Sequence, residues 1–202
     1  MKIKIVVSRV LMVLILLGSG IFAELGWGES LKLKEVEVYT GLATSRFYKE
    51  DYFAGFDKHP EEYSLVPMGC QFGFGLEKWS RSEFLLELVV GPFLNSSIKP
   101  KNAMEVGSDL LLKIGYRGWN KMMPYLKVGT GFIYTSHRFE GQGTKLDFLV
   151  QSGLGVAYFL NKAKNSSVNL EYRFRHFSNG DLIQPNEGVT LGEILIGFSR
   201  YF

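Results

Sequence analysis

The chain has 202 residues, and its 23 Lys and Arg residues against 20 Asp and Glu residues give a net charge of +3. This length suits one domain, and such a small charge excess gives no reason to expect a nucleic-acid partner. A single cysteine, Cys70, excludes an internal disulfide framework.

Residues 1–23 have the pattern of a secretory signal peptide. Lys2, Lys4 and Arg9 form a basic start, Val10–Leu17 is an unbroken apolar core, and small residues lead up to Ala23. The apolar core is too short for a spanning helix, which needs roughly 20 residues. The leader contains basic residues but no acidic ones. Its removal leaves equal numbers of basic and acidic residues, so the positive net charge of the chain comes from the leader.

Residues 24–202 contain eight segments in which apolar residues alternate with small, polar or charged ones, a period of two that indicates β-strands. We place these strands near Glu35–Ala43, Val66–Leu76, Phe84–Gly91, Val106–Tyr116, Leu126–Tyr134, Phe148–Tyr158, Val168–Phe174 and Thr190–Phe202. A soluble sandwich, the alternative, would have more uniformly polar outer faces. The pattern therefore predicts an all-β fold, an eight-stranded antiparallel transmembrane β-barrel.

The links between these strands alternate in length, which predicts the orientation of the barrel. Those near Glu77–Ser82, Arg117–Met122 and Leu160–Ser166 are short and are expected in the periplasm, whereas longer extracellular loops are expected near Ser45–Glu62, Asn95–Glu105, His137–Thr144 and Asn179–Val189. Trp79 and Trp119 fall in short links, where interfacial aromatics belong. The aromatic last residue, Phe202, is typical of outer-membrane proteins of Gram-negative bacteria, so we expect that location.

Charged residues on the second face of the strands have a predicted place inside the barrel. Eight strands leave too little room for a pore. We expect ion pairs filling the lumen, formed by Glu87, Asp109, Lys113, Glu171, Arg173 and Arg175.

The segment His176-Phe177-Ser178-Asn179, at the end of the seventh predicted strand, places a histidine two residues from a serine. Because strand side chains alternate between faces, His176 and Ser178 point one way and Phe177 the other. An imidazole and a hydroxymethyl group on one face come within hydrogen-bonding reach. The strand runs outward from the periplasm, so the pair is expected at its extracellular end, on the lipid-facing wall. The pattern indicates hydrolysis of a lipid.

The residues His176-x-Ser178-Asn179 and Pro185-Asn186-x-Gly188, with the predicted barrel and its terminal aromatic residue, resemble the bacterial lipid A 3-O-deacylase family. Members of that family are serine esterases that remove the acyl chain at the 3-position of lipid A in lipopolysaccharide. The resemblance implies that His176 is the base, Ser178 the nucleophile and Asn179 the oxyanion-site residue. It implies no cofactor and no metal.

One position departs from the family pattern. The type members carry a glutamate two residues beyond the motif glycine, where it orients the histidine, and this chain has Thr190. By strand parity Thr190 faces outward beside His176, so its hydroxyl can accept the Nδ1–H without contributing negative charge. Glu187, in the adjoining loop, is the second candidate for this orienting role, whereas Glu193 has the wrong parity.

Two expectations concern the substrate. Gly192, on the same outer face as Ser178, predicts a shallow gap in which the acyl chain lies. Lys99, Lys101 and Arg138, in the outer loops, are the candidates to meet the phosphates of lipid A.

Two other functions stay open at this point. One is a non-catalytic outer-membrane barrel for adhesion or membrane integrity, and the other is a lipid A acyltransferase that uses the same serine and histidine. The expected partners are lipopolysaccharide and outer-membrane lipids. A homodimer would gate access to the outer wall, but the sequence leaves the oligomeric state open.

Overall fold

The computed structural model of the chain describes residues 31–47, 62–76, 80, 83–138 and 141–202. The predicted signal peptide, Trp79 and most of the first long link lie outside the described residues. A 3-10 turn at Ser45–Phe47 follows the first strand. The described strands are β1 Leu31–Thr44, β2 Ser64–Val66, β3 Met68–Leu76, β4 Phe84–Lys99, β5 Ala103–Tyr116, β6 Met122–Thr135, β7 Leu146–Phe159, β8 Ser166–Ser178 and β9 Val189–Tyr201.

The strands pair antiparallel, and β1 also pairs with β9, which closes the sheet into a barrel. β2 and β3 are two parts of one barrel strand, because both lie between β1 and β4 and only Pro67 separates them. Proline has no N–H to donate and so interrupts a ladder. The predicted eight-stranded antiparallel barrel is therefore confirmed. Within the described residues, no helix is long and apolar enough to cross a membrane.

Residues that alternate in the sequence lie on opposite faces of the barrel wall. On β7, Phe148 and Val150 point outward and are more than half exposed, whereas Leu149 and Gln151 point inward and are buried. Outward side chains on the other strands are likewise mostly apolar. An apolar outer wall around a filled interior is the arrangement that a small membrane barrel requires.

Ion pairs fill the middle of the lumen, as the sequence predicts. Lys127 Nζ lies 2.8 Å from Glu37 and 2.9 Å from Glu171, and Arg175 lies 2.8 Å from Glu105 and 3.2 Å from Glu193. The other pairs are Lys113 with Glu35 and Glu87, and Arg173 with Glu171 and Asp109. Apolar clusters close the lumen above and below this layer, one around Tyr63, Phe93 and Phe177 and one around Met123, Tyr125 and Phe159.

The predicted long loop at Asn95–Glu105 is wrong. β4 continues to Lys99 and β5 begins at Ala103, so only residues 100–102 connect them. Two residues of this predicted loop are lumen residues of a longer strand: Asn95 donates to Glu105 Oε2 at 2.8 Å, and Ser97 is 2 % exposed. The links at 136–145 and 179–188 are longer than those at 117–121 and 160–165. This difference supports extracellular loops at the end of the barrel where β8 finishes.

Candidate active site

His176 and Ser178 lie on the outer wall at the loop end of β8. Both are half-buried, whereas the intervening Phe177 is fully buried in the lumen. Phe177 packs edge-on against Tyr63, with ring centroids 6.2 Å apart. Arg175 and Phe177 flank His176 and are both anchored in the lumen. They thus fix the stretch of backbone that presents His176 and Ser178 to the outside.

Thr190 lies directly opposite His176 on β9. Its Oγ1 is 2.9 Å from His176 Nδ1. Thr190 is 3 % exposed, so this hydrogen bond is shielded by the surrounding side chains. The structure brings together these two predicted site residues and directs Nε2 of the imidazole away from Thr190.

Gly188 passes close to the imidazole ring of His176. A Cβ placed on Gly188 would lie 2.6 Å from His176 Cε1 and 3.1 Å from Nε2, and the φ angle of Gly188 is +69°. Both the close approach and the left-handed backbone require glycine. The glycine of the Pro185-Asn186-x-Gly188 segment therefore shapes the space beside the histidine.

Asn179 and Asn186 fasten the two ends of the 179–188 loop. The backbone N–H of Asn179 donates to Asn186 Oδ1 at 2.9 Å, and the Asn179 side chain donates to the Ile183 carbonyl at 2.7 Å. Asn186 in turn donates to Asp181 at 3.0 Å. Asn179 is 1 % exposed. Its backbone N–H is therefore committed to the loop, and one N–H of its side-chain amide remains outside these bonds.

Glu187 belongs to a contact between two extracellular loops. Its backbone N–H donates to the Gly141 carbonyl at 2.9 Å, and its carboxyl group lies against Gly141. An isolated bridge between Gln142 and Asn186 joins the same two loops. Thr190, rather than Glu187, thus occupies the position facing His176 Nδ1.

The predicted gap beside Gly192 is wrong. Phe47, in the 3-10 turn after β1, lies over Gly192, and a Cβ on that glycine would be 2.7 Å from Phe47 Cβ. The hydroxyl of Tyr172 donates to the Phe47 carbonyl at 3.2 Å and would be 2.8 Å from the same Cβ. The sequence does not show this closure, because Phe47 comes from the far end of the chain.

The opposite side of the pair, toward β7, is open and apolar. Ser178 is the register partner of Phe148, and His176 is the register partner of Val150. Phe148 is 57 % exposed and Val150 is 53 % exposed. The site is therefore bounded by the covered β9 side and by an exposed apolar face on β7.

The cations predicted to meet phosphate differ in their surroundings. Lys101 is exposed. Lys99 lies 3.0 Å from Glu62, which also pairs with Arg46 at 2.6 Å, and the hydrogen bond from Lys99 lowers the pKa of the Glu62 carboxyl. Arg138 donates to the carbonyls of Gln142 and Gly143 and so also holds its own loop. Phosphate binding by these residues stays a prediction.

A closed eight-stranded barrel with an apolar outer wall defines the class of outer-membrane β-barrel proteins of Gram-negative bacteria, and the outer membrane is the location of this protein. The family described as "Lipid A 3-O-deacylase (PagL)" matches residues 62–199. The chain belongs to this family, as the resemblance implies.

Solved structures support the fold. The crystal structure of the outer membrane enzyme PagL has a TM-score of 0.53 and 17 % identity, over 82 % of this chain and 98 % of that chain. The crystal structure of Neisserial surface protein A has a TM-score of 0.58 and 11 % identity, over 85 % of this chain and 99 % of that chain. No curated protein matches the chain significantly. At these identities the structural likeness concerns the fold.

Proposed function

We propose that this protein is a serine esterase that removes the 3-O-linked acyl chain from lipid A in the outer membrane. Family membership supports the substrate class. The observation that carries the proposal is the 2.9 Å contact between His176 Nδ1 and Thr190 Oγ1, beside Ser178 on the lipid-facing wall. A water-soluble substrate would have to enter the bilayer to reach this wall, whereas a lipid of the outer leaflet reaches it directly.

The first step is proton transfer coupled to nucleophilic attack. His176 donates its Nδ1–H to Thr190, which leaves the lone pair of Nε2 to accept the proton of Ser178. As the Ser178 Oγ–H bond breaks, Oγ bonds to the ester carbonyl carbon, and the carbonyl oxygen becomes an oxyanion. The bond between the acyl carbon and the sugar oxygen then breaks, and the sugar oxygen takes the proton from Nε2. Water then attacks the acyl carbon while Nε2 of His176 takes its proton. The bond between the acyl carbon and Ser178 Oγ breaks, Nε2 returns the proton to Oγ, and the 3-hydroxy fatty acid leaves.

Oxyanion stabilisation is assigned to the side-chain amide of Asn179. Its backbone N–H is occupied by Asn186, so the amide supplies the free donor. A donor of this kind is typically worth about 2.7–4 kcal/mol. Because Asn179 is buried under its own loop, this role requires the 179–188 loop to open toward the substrate.

The acyl chain is assigned to the outer face of β7. The β9 side of the pair is filled by Phe47 and Tyr172, whereas Phe148 and Val150 adjoin Ser178 and His176 and are exposed. An acyl chain along β7 keeps its apolar surface out of water.

Mass spectrometry of lipid A from cells that express the protein tests the function. We expect the loss of one 3-hydroxyacyl group, and we expect Ser178→Ala and His176→Ala each to abolish that loss. Gain or exchange of an acyl group would instead identify an acyltransferase. Unchanged lipid A, with the barrel folded in the outer membrane, would overturn the enzymatic proposal and favour a non-catalytic barrel.

A further inference from the structure

The two ends of the barrel differ in charge. Among the described residues, the exposed or half-exposed charges at the periplasmic end are seven basic residues and one acidic residue, Glu83. At the extracellular end the signs are mixed: Glu62 lies between two cations, and the 179–188 loop carries Asp181 and Glu187. We call the seven periplasmic residues the basic rim: Lys32, Lys34, Arg117, Lys121, Lys162, Lys164 and Arg200.

The basic rim is one connected surface. The turn at 117–121 is joined to the next turn, 160–165, by the Lys164 ammonium, which donates to the Trp119 carbonyl at 3.1 Å. Backbone hydrogen bonds of 2.9 Å continue the connection from Tyr201 to Asn165 and from Phe202 to Lys34. The cations of the basic rim are thus held side by side along the edge of the barrel. They lie in the β5–β6 and β7–β8 turns and on β9 and β1.

Aromatic side chains fix the depth of this surface in the bilayer. Trp119 is 51 % exposed, and its ring lies 6.5 Å from that of Tyr116, which lies 5.3 Å from that of Phe84. Aromatic rings of this kind sit at the boundary between hydrocarbon and headgroups. The adjoining cations therefore lie at the level of the phosphates.

We propose that the basic rim binds the phosphate groups of anionic glycerophospholipids in the periplasmic leaflet of the outer membrane. Arg117, Lys121 and Lys162 are exposed and form no ion pair with any residue of the described ranges. Their long side chains can keep contact with the wall while the charge reaches the headgroup. This inference does not depend on the esterase proposal, because the rim lies at the opposite end of the barrel from Ser178.

The test measures how the full, detergent-folded chain binds phosphatidylglycerol and phosphatidylcholine, by native mass spectrometry of an equimolar mixture. We expect preferential retention of phosphatidylglycerol. A basic residue at an anionic lipid surface contributes about fivefold in affinity, so Lys121→Glu/Lys162→Glu is expected to weaken retention by at least 25-fold, roughly the product of two such contributions. Lys121→Arg/Lys162→Arg keeps the charge and should keep the preference. Arg46→Glu/Lys145→Glu makes the same charge change at exposed residues of the other end and should have a much smaller effect.

Three results would overturn the proposal. Equal retention of the two lipids would do so, as would equal losses in the two charge-reversal variants. The third is binding of the folded chain to isolated peptidoglycan sacculi without any lipid preference, which would identify a polymer as the partner. Heat-modifiable migration on gels shows in each case whether the variant barrel is folded.

Discussion

At the scale of single residues, the contact between His176 and Thr190 predicts a graded effect on catalysis. Thr190→Val removes the acceptor for Nδ1–H at nearly constant volume, and we expect about a tenfold loss of kcat, because a neutral hydrogen bond contributes roughly 0.5–1.5 kcal/mol. Thr190→Ser retains the hydroxyl and should retain activity. Thr190→Glu adds the charge that orients histidine in a full triad, and activity should rise. Fatty-acid release from lipid A in mixed micelles measures all three. Wild-type turnover in Thr190→Val would remove Thr190 from the mechanism.

Asn179 and Asn186 allow oxyanion stabilisation to be separated from loop positioning. Asn179→Ala removes both the proposed oxyanion donor and the bond to Ile183, and we expect kcat to fall about 10²–10³-fold. Asn186→Ala removes the partner of the Asn179 backbone N–H but keeps the amide, so a loss of about tenfold is expected. The kcat values of the two variants provide the comparison. Equal losses would mean that Asn179 acts only through the loop.

The residues of the site were predictable from the sequence where strand geometry governs them. Period two places His176 and Ser178 on the same outward face, and the register of β8 with β9 brings Thr190 beside the histidine. The covering of Gly192 by Phe47 was not predictable, because it depends on how a turn far away in the sequence folds over β9.

At the scale of secondary-structure elements, the sequence predicts which face a side chain takes better than where a strand ends. The eight alternating segments all become barrel strands, but β4 and β5 extend beyond their predicted ends. Asn95 and Ser97 fall outside the alternating segments of the sequence and are therefore predicted to lie in a loop. In a membrane barrel, however, polar side chains also face the lumen, where Asn95 bonds to Glu105. A polar residue in this sequence therefore marks either a loop or a lumen-facing strand position.

The two strands that flank His176 and Ser178, β7 and β9, allow a matched prediction about the position of the acyl chain. Leu154→Trp places a large ring on the outer face of β7 opposite Tyr172, the residue that Ile194 faces from β9, and we expect kcat/KM to fall at least tenfold because the ring occupies the path of the acyl chain. Ile194→Trp makes a comparable change on the outer face of β9 and should leave kcat/KM near that of the parent. Lipid A hydrolysis by the two folded variants provides the comparison. A larger loss in Ile194→Trp would move the acyl chain to β9.

At the scale of the whole molecule, the barrel separates stability from chemistry. The ion-pairing residues of β8, Glu171, Arg173 and Arg175, lie on odd-numbered positions, whereas His176 and Ser178 lie on even-numbered positions of the same strand. The strand backbone is thus held from inside while its outer face stays open to lipid. Changes to lumen charges should therefore affect folding before they affect the reaction.

Lys127 and Glu87 test how the lumen is stabilised. Lys127 pairs with Glu37 and Glu171 and donates to Gln71. Lys127→Met therefore leaves the buried Glu37 carboxylate without its ion-pair partner among the described residues, whereas Glu171 keeps Arg173 at 2.7 Å. Removing one partner of a buried pair typically costs about 3–5 kcal/mol, and we expect the free energy of unfolding to fall by that amount. Glu87 differs, because its carboxylate oxygens make no hydrogen bond among the described residues. Its Oε2 lies 3.8 Å from Lys113 Nζ, and Lys113 keeps its closer partner Glu35. Glu87→Gln should cost less than about 1 kcal/mol. Urea unfolding in lipid vesicles measures both variants, and a cost for Glu87→Gln equal to that of Lys127→Met would show that total lumen charge, rather than individual pairing, sets the stability of the barrel.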